Sequence, residues 1–302
     1  MSSRVRTAVS TLAALAAFPA VALAQGLPVG ATVFNASATA VAQLESGLDR
    51  GGDVRGAAFF ASVGATRQFT PELTAGASFR YEFEDWSFPG ANVFGGSPWG
   101  QIHRPGVAAT LVYAHASGYA FTAIPSVQWA YESGASTGDA LNWGAILAVS
   151  RRFSKDLMVG IGAGVFREID ETEVFPVVLF DWKIDDRLRL GNPYQGGPAG
   201  GAGIEITWTA NDRWELAGGA AWRTFRFRLD RDGPTPDGIG EREQLPLFAR
   251  ASYRPSTGSR LDFYAGVSLA GKLTVYDRDN RELVSEDHDP APLLGITFQS
   301  RF

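Results

Sequence analysis

The sequence predicts an all-β chain closed into a transmembrane antiparallel up-and-down β-barrel of about fourteen strands. Three observations predict it. Apolar and polar residues alternate with period two over segment after segment, which lines one face of a strand and would scatter around a helix. The connections alternate as well, short polar turns with longer loops, as in a barrel that crosses a bilayer. The composition, 35 glycines, 12% aromatics and two methionines in 302 residues, suits strands and turns.

The segments run 31–45, 54–68, 73–86, 105–115, 119–131, 140–153, 157–169, 174–184, 187–190, 202–210, 213–230, 242–254, 260–276 and 290–302. In the third, Leu73, Ala75, Ala77, Phe79, Tyr81 and Phe83 alternate with Thr74, Gly76, Ser78, Arg80, Glu82 and Glu84. In the fifth, Tyr119, Phe121, Ala123, Val127, Trp129 and Tyr131 alternate with Thr122, Ser126 and Gln128; Pro125 lacks the N–H a closed sheet needs, so a bulge is expected there. The ninth segment is short for a strand spanning a bilayer, which takes about 9–11 residues. In the eleventh the pattern slips near Trp222 to Thr224, where Phe225 and Phe227 change parity relative to Trp214 and Leu216. Leu245, Leu247, Ala249, Ala251 and Tyr253 form one face of the twelfth. The thirteenth is the clearest, with Leu261, Phe263, Ala265, Val267, Leu269, Gly271, Leu273 and Val275 on one parity and Asp262, Tyr264, Ser268, Lys272 and Thr274 on the other. Leu294, Ile296, Phe298 and Phe302 carry the last. Discounting the irregular segments leaves a twelve-strand alternative.

Short turns fall at Thr70-Pro71-Glu72, Ala116-Ser117-Gly118, Ser154-Lys155-Asp156, Asp185-Asp186, Asn211-Asp212 and Pro255 to Ser259. Longer connections fall at 46–53, 87–104, 132–139, 191–201, 231–241 and 277–289, with 170–173 the one exception. An even strand count then puts both termini on the short-turn, periplasmic side.

The N-terminus reads as an export signal over residues 1–24. Arg4 and Arg6 form a basic region, Leu12 to Leu23 an apolar stretch, and Ala22-Leu23-Ala24 a small-x-small cleavage site. Residues 25–302 then form a single barrel domain without an internal linker. The absence of cysteine suits a chain that crosses an oxidising periplasm unlinked. A net charge of −5 argues against a nucleic-acid partner. Beyond the N-terminus no run approaches the roughly 18 apolar residues of a spanning helix.

Alternation does not say which face is outside. Fourteen strands enclose a lumen too wide for side chains to fill, so the polar face is expected inside and wet. Aromatics also gather toward segment ends, as belts at two membrane boundaries would: Tyr113, Tyr119, Phe153, Trp208, Trp214 and Tyr253 near the turns, and Phe83, Trp129, Tyr131 and Trp143 near the loops. With its signal peptide, its amphipathic strands and its final Leu294-x-Ile296-x-Phe298-x-Ser300-x-Phe302, the chain resembles the Gram-negative outer-membrane β-barrels. Ser300 stands where that group usually carries an aromatic. The resemblance implies residence in the cell outer membrane among its lipid and lipopolysaccharide. It also implies that Leu294, Ile296, Phe298 and Phe302 are an assembly signal for the barrel-assembly machinery, and it points to an uncharacterised barrel family rather than the trimeric porins. A monomer is expected.

The polar face holds Arg80, Glu82, Glu84, Glu168, Asp181, Lys183, Arg187, Arg189, Glu205, Glu215, Arg250, Asp262 and Lys272. These charges suit the lining of a passive diffusion channel for small hydrophilic solutes, or a cross-strand ion-pair network in a structural barrel. Neither sign dominates, so no ion preference is expected. Loop 87–104, with Phe88, Phe94 and Trp99, reads as an external lid or as a segment folded inward to narrow the pore. A lipid-modifying enzyme of phospholipase or deacylase type would use a histidine and a serine on the lipid face. Among His103, His115 and His288, only His115-Ala116-Ser117 has such a spacing, and the topology puts it at a periplasmic turn. A surface adhesin or receptor would use the outer loops. The acidic stretch Asp277 to Asp289 lacks the glycine of a calcium loop and reads as solvated. No cofactor, metal or catalytic residue is expected.

Overall fold

A computed structural model describes residues 27–193 and 202–302. The predicted signal segment, and most of the predicted loop 191–201, lie outside the described residues. The strands are β1 (Thr32–Gly47), β2 (Asp53–Gln68), β3 (Leu73–Ser87), β4 (Gln101–Ala114), β5 (Tyr119–Trp129), β6 (Tyr131–Glu132), β7 (Leu141–Arg152), β8 (Leu157–Glu168), β9 (Glu171–Lys183), β10 (Leu188–Gly191), β11 (Ala202–Thr209), β12 (Trp214–Arg228), β13 (Ile239–Ser256), β14 (Ser259–Tyr276), β15 (Glu282–His288) and β16 (Ala291–Arg301). They occupy fourteen wall positions, because β6 continues β5 along β4, and β15 and β16 share one side of β14. Neighbours around the wall are antiparallel, and β1 closes the ring against β16 from Asn35↔Arg301 to Gln43↔Leu293. At that seam Phe34 and Phe302 exchange main-chain hydrogen bonds of 2.8 and 3.1 Å, and their rings stack with centroids 6.1 Å apart.

The barrel is apolar outside and polar inside. Val63, Leu147, Ile161 and Val178 are each more than half exposed on the outer wall, while Thr39, Glu82, Arg250, Asp262 and Thr297 are buried within. A continuous apolar belt of this extent is far larger than the patches soluble monomers expose, and it is stable only against lipid. The parity assigned to Leu261 and Phe263 from sequence is the outward one: Asp262 and Tyr264 beside them are buried, and Phe263 is exposed. Aromatic belts flank the band, with Tyr113, Tyr119, Phe153, Trp208 and Trp214 exposed toward the short turns and Trp143 toward the long loops.

Four local expectations are corrected. Strand β4 begins at Gln101 rather than 105, since Pro105 sits in register opposite Tyr81 without ending the ladder. At Pro125 there is no bulge: pairing to β4 lapses between Ala108↔Ser126 and Leu111↔Ala123, and the register stays in step. Residues 282–288, read as loop, form β15 along the upper half of β14. In β14, Ala270 has a φ of +48° and adds one residue between the pairs Leu245↔Leu269 and Glu243↔Lys272. Alternation reverses beyond such an insertion. Leu273 and Val275 therefore turn into the interior, and Lys272 lies on the opposite face from them.

Candidate functional site

The interior has three levels, each set by which residues the strands turn inward. At the short-turn end lies a cavity of about 830 Å³. Asp181, Arg189, Glu205, Glu215 and Arg250 line it, all named from sequence as polar-face charges. Arg189 grips Asp181 with two hydrogen bonds of 2.6 and 2.9 Å, and Arg250 grips Glu205 with two of 2.5 and 3.2 Å. Arg254 donates to Glu215 at 2.6 Å, and Arg260 donates to the fully buried Asp262 at 2.6 Å. Cross-strand pairing of opposite charges holds these side chains against the wall and leaves the centre clear. Lys183 and Arg187 flank the β9–β10 turn at the mouth. Lys183 donates to Asp186 at 2.7 Å, and that bond holds the Asp186 carboxylate below its ordinary range.

At mid-height the lumen is filled. Glu82 meets Arg80 at 2.9 Å and accepts from Arg104 at 3.0 Å, while Glu84 accepts from Arg104, from Arg242 at 2.9 Å and from Trp86 Nε1 at 2.7 Å. The guanidinium groups of Arg104, Arg223 and Arg242 lie 4.1, 4.6 and 5.2 Å from the ring centre of Phe225. Glu82, Glu84, Arg104, Arg223, Phe225 and Arg242 are all more than nine-tenths buried. Paired, hydrogen-bonded and stacked on an aromatic face, such charges tolerate burial that would be prohibitive for any of them alone.

Toward the long loops an apolar cluster closes the end. Phe88 and Trp99 pack with Phe227, Leu229, Leu273 and Val275, and Trp99 meets Phe227 edge-on at 5.2 Å. Loop 87–104 is therefore an inward plug; the external-lid reading is corrected, because its aromatics find a dry partner surface inside the mouth. The partner is β12. Ala202↔Trp222 is the last pair with β11 among the described residues, and above it β12 leans across the lumen until Arg228 N donates to Ala130 O at 2.9 Å. Its outer face, no longer against lipid, carries Arg226, bonded to Glu171 at 2.5 Å, and Arg228, bonded to Asp170 at 2.8 Å. That is why the pattern slips near Trp222: the alternation continues, but the surroundings of both faces change.

Of the residues singled out from sequence, Arg80, Glu82 and Glu84 come together at mid-height. Asp181, Arg189, Glu205, Glu215, Arg250 and Asp262 come together around the cavity. Lys272 joins neither group, for the reason given by Ala270. Sequence reasoning missed Arg104, Arg223 and Arg242. Arg104 fell in the presumed loop, but Gln101 to Arg104 already continues the alternation of β4, and that was the available signal. Leu294, Ile296, Phe298 and Phe302 all face outward and are exposed. His115 Nδ1 lies 2.7 Å from Ser117 Oγ, and the amide of Ser117 donates to the same nitrogen at 3.2 Å, so this pair is a local turn bond. Among the described residues no group of three potential metal ligands occurs.

Wall closure, apolar exterior and polar interior together define the fold of an outer-membrane β-barrel. The crystal structure of the COG4313 outer membrane channel from Pseudomonas putida F1 has that fold, with a TM-score of 0.51 at 12% identity over 92% of this chain and 98% of that one. The Pseudomonas putida toluene transporter TodX scores 0.42 at 9% identity over 91% of each chain, and the KdgM porin 0.32 at 10% identity over 87% of this chain and 98% of that one. No curated protein sequence matches the chain. The chain belongs to the family described as Domain of unknown function (DUF6268), whose model matches residues 132–299.

Proposed function

We propose that this protein is a passive channel of the cell outer membrane for small hydrophilic solutes, held closed in the conformation described above. The observation that carries this reading is the charged cavity of about 830 Å³ at the short-turn end of a lipid-facing barrel. A barrel serving only as scaffold has no need of such a vestibule. Its likeness in fold to an outer membrane channel supports the same reading. The obstruction above the vestibule consists of side chains, loop 87–104 and the inward-leaning upper part of β12, so opening takes release of the Arg228–Ala130 bond together with rotamer and loop motion. In this reading the long loops face the cell surface amid lipopolysaccharide, both termini face the periplasm, the barrel-assembly machinery inserts the chain, and the working unit is a monomer.

Planar-bilayer recording of the refolded protein tests it. Stepwise openings of small conductance are expected, larger in Phe227→Ala, which thins the plug. Silence from both proteins would assign the barrel a structural role.

A further inference from the structure

We propose that Ser133, His103 and Tyr81 form an ester-hydrolase site on the outer wall, directed at an ester-linked acyl chain of a phosphate-bearing membrane lipid. Ser133 Oγ lies 2.9 Å from His103 Nε2, and Tyr81 Oη lies 2.7 Å from His103 Nδ1. The three come from β4, from β3 and from the residue after β6, separated by 22 and 30 positions in sequence. Tertiary structure assembles them, unlike the local bond between His115 and Ser117. A hydroxyl within reach of an imidazole whose other nitrogen is held by a third group is the arrangement that activates a serine nucleophile. With its proton on Nδ1 donated to Tyr81, the ring presents Nε2 as an acceptor to Ser133.

The surroundings fix this geometry. His103 is in register with Phe83 on one side and Tyr131 on the other, and its ring sits 5.3 and 5.5 Å from theirs. The amide of Ser133 donates to Gln101 O at 2.8 Å, while the residue itself is exposed. Gly134 follows with a φ of +93°, a conformation other residues rarely adopt, and among the described residues its amide donates to no acceptor. An amide directly after the nucleophile is a candidate donor to the oxyanion of a tetrahedral intermediate, and here the Asp230 carboxylate packs against Gly134 beside it. Arg231 Nε donates to Gly134 O at 3.0 Å and brings a cation beside the site, suited to a lipid phosphate. The aromatic rings of Phe83 and Tyr131 flank His103 at the long-loop end of the outer wall, as the side chains of a membrane-boundary belt would.

The reaction balances with water alone. Ser133 Oγ attacks the ester carbonyl carbon as His103 Nε2 takes its proton. The carbon–oxygen bond to the lipid alcohol then breaks, and His103 returns that proton to the departing oxygen. Water attacks the acyl-Ser133 ester, His103 takes the water proton, the bond to Oγ breaks, and the proton goes back to Ser133. The products are a free fatty acid and a lysolipid.

The site shares no residue with the lumen, so it stands or fails independently of conduction. The test is fatty-acid release by the refolded full chain from phosphatidylglycerol in mixed micelles and, separately, from purified lipopolysaccharide. Covalent labelling by a fluorophosphonate, located by peptide mass, runs in parallel. Release from either lipid, with the label on Ser133, is expected, and the lipid that is cleaved identifies the source of the ester. Ser133→Ala abolishes both signals, and His103→Ala lowers the rate about 100-fold or more. Tyr81→Phe keeps the ring packing, lowers kcat several-fold with KM unchanged, and shifts the pH profile of kcat through its effect on the imidazole. Neither release nor label from the wild-type protein, or release that persists in Ser133→Ala, overturns the proposal.

Discussion

The amide of Arg228 donates to the carbonyl of Ala130 at 2.9 Å, although β12 stands six wall positions from β6 around the barrel. Two strands that each belong to the wall meet across the lumen, so the long-loop end is pinched shut by main chain as well as by side chains. The buried apolar cluster of that end includes residues from both sides of the crossing, Ala130 and Phe227 among them.

The plug under the crossing behaves as a small core. Trp99 is 1% exposed and touches Phe227 and Phe88 edge-on. Trp99→Ala is expected to cost about 3–5 kcal/mol through lost burial and the cavity left behind. Urea unfolding of the barrel in detergent micelles reads the loss as a lower midpoint.

Glu84 is the shared acceptor of Arg104, Arg242 and Trp86. Glu84→Gln strips the buried Arg242 of its carboxylate and leaves Arg104 with Glu82 alone, and about 3–5 kcal/mol of destabilisation is expected. The second change Arg242→Met in that background restores part of the midpoint, because it removes a stranded charge. A double-mutant cycle in the same unfolding assay checks both.

Ile161 is 67% exposed in the apolar band. Ile161→Arg puts a cation against lipid tails and is expected to cost about 2–4 kcal/mol for folding into bilayers. Lys183→Ala, whose ion pair with Asp186 is solvated at the mouth, leaves the same measurement unchanged.

Phe302 joins the seam to Phe34 by main-chain bonds and ring stacking. Deleting Phe302 is expected to lower the heat-modifiable, folded fraction recovered from cells, while refolding of the purified chain into lipid vesicles proceeds. A loss of both would make the residue a seam contact alone rather than an assembly signal.

The wall was legible in the sequence because a closed sheet between lipid and water imposes one environment per parity; Leu73 to Phe83 and Leu261 to Leu269 show it without interruption. Legibility failed wherever a strand leaves those two environments. Past Trp222, β12 has interior on both sides, so Phe225 stacks with arginines, Phe227 joins the apolar plug, and Arg226 and Arg228 occupy the face that lower down meets lipid. Past Ala270, one extra residue with positive φ exchanges the faces of Leu273 and Lys272, and nothing in the local residue types announces it. Half of the charge layer was visible through Arg80, Glu82 and Glu84. Three of its cations were hidden: Arg104 in a loop assignment, Arg223 in an irregular segment, and Arg242 at the first residue of the twelfth segment, ahead of the alternation that begins at Leu245. The pairing of Ser133 with His103 depends on β6 returning to β4 after a break at Ala130, which sequence spacing does not express.

Because the chain contains no cysteine, single cysteines report on one position at a time. Thr207→Cys in the vestibule and Ile161→Cys on the outer band, each in proteoliposomes, test the orientation of the two faces most directly. Thr207→Cys reacts with a charged, water-soluble thiol reagent while Ile161→Cys reacts only with a lipid-soluble maleimide, if polar residues face an aqueous lumen and apolar ones face lipid. Rapid modification of Ile161→Cys by the charged reagent, with Thr207→Cys protected from it, contradicts the account.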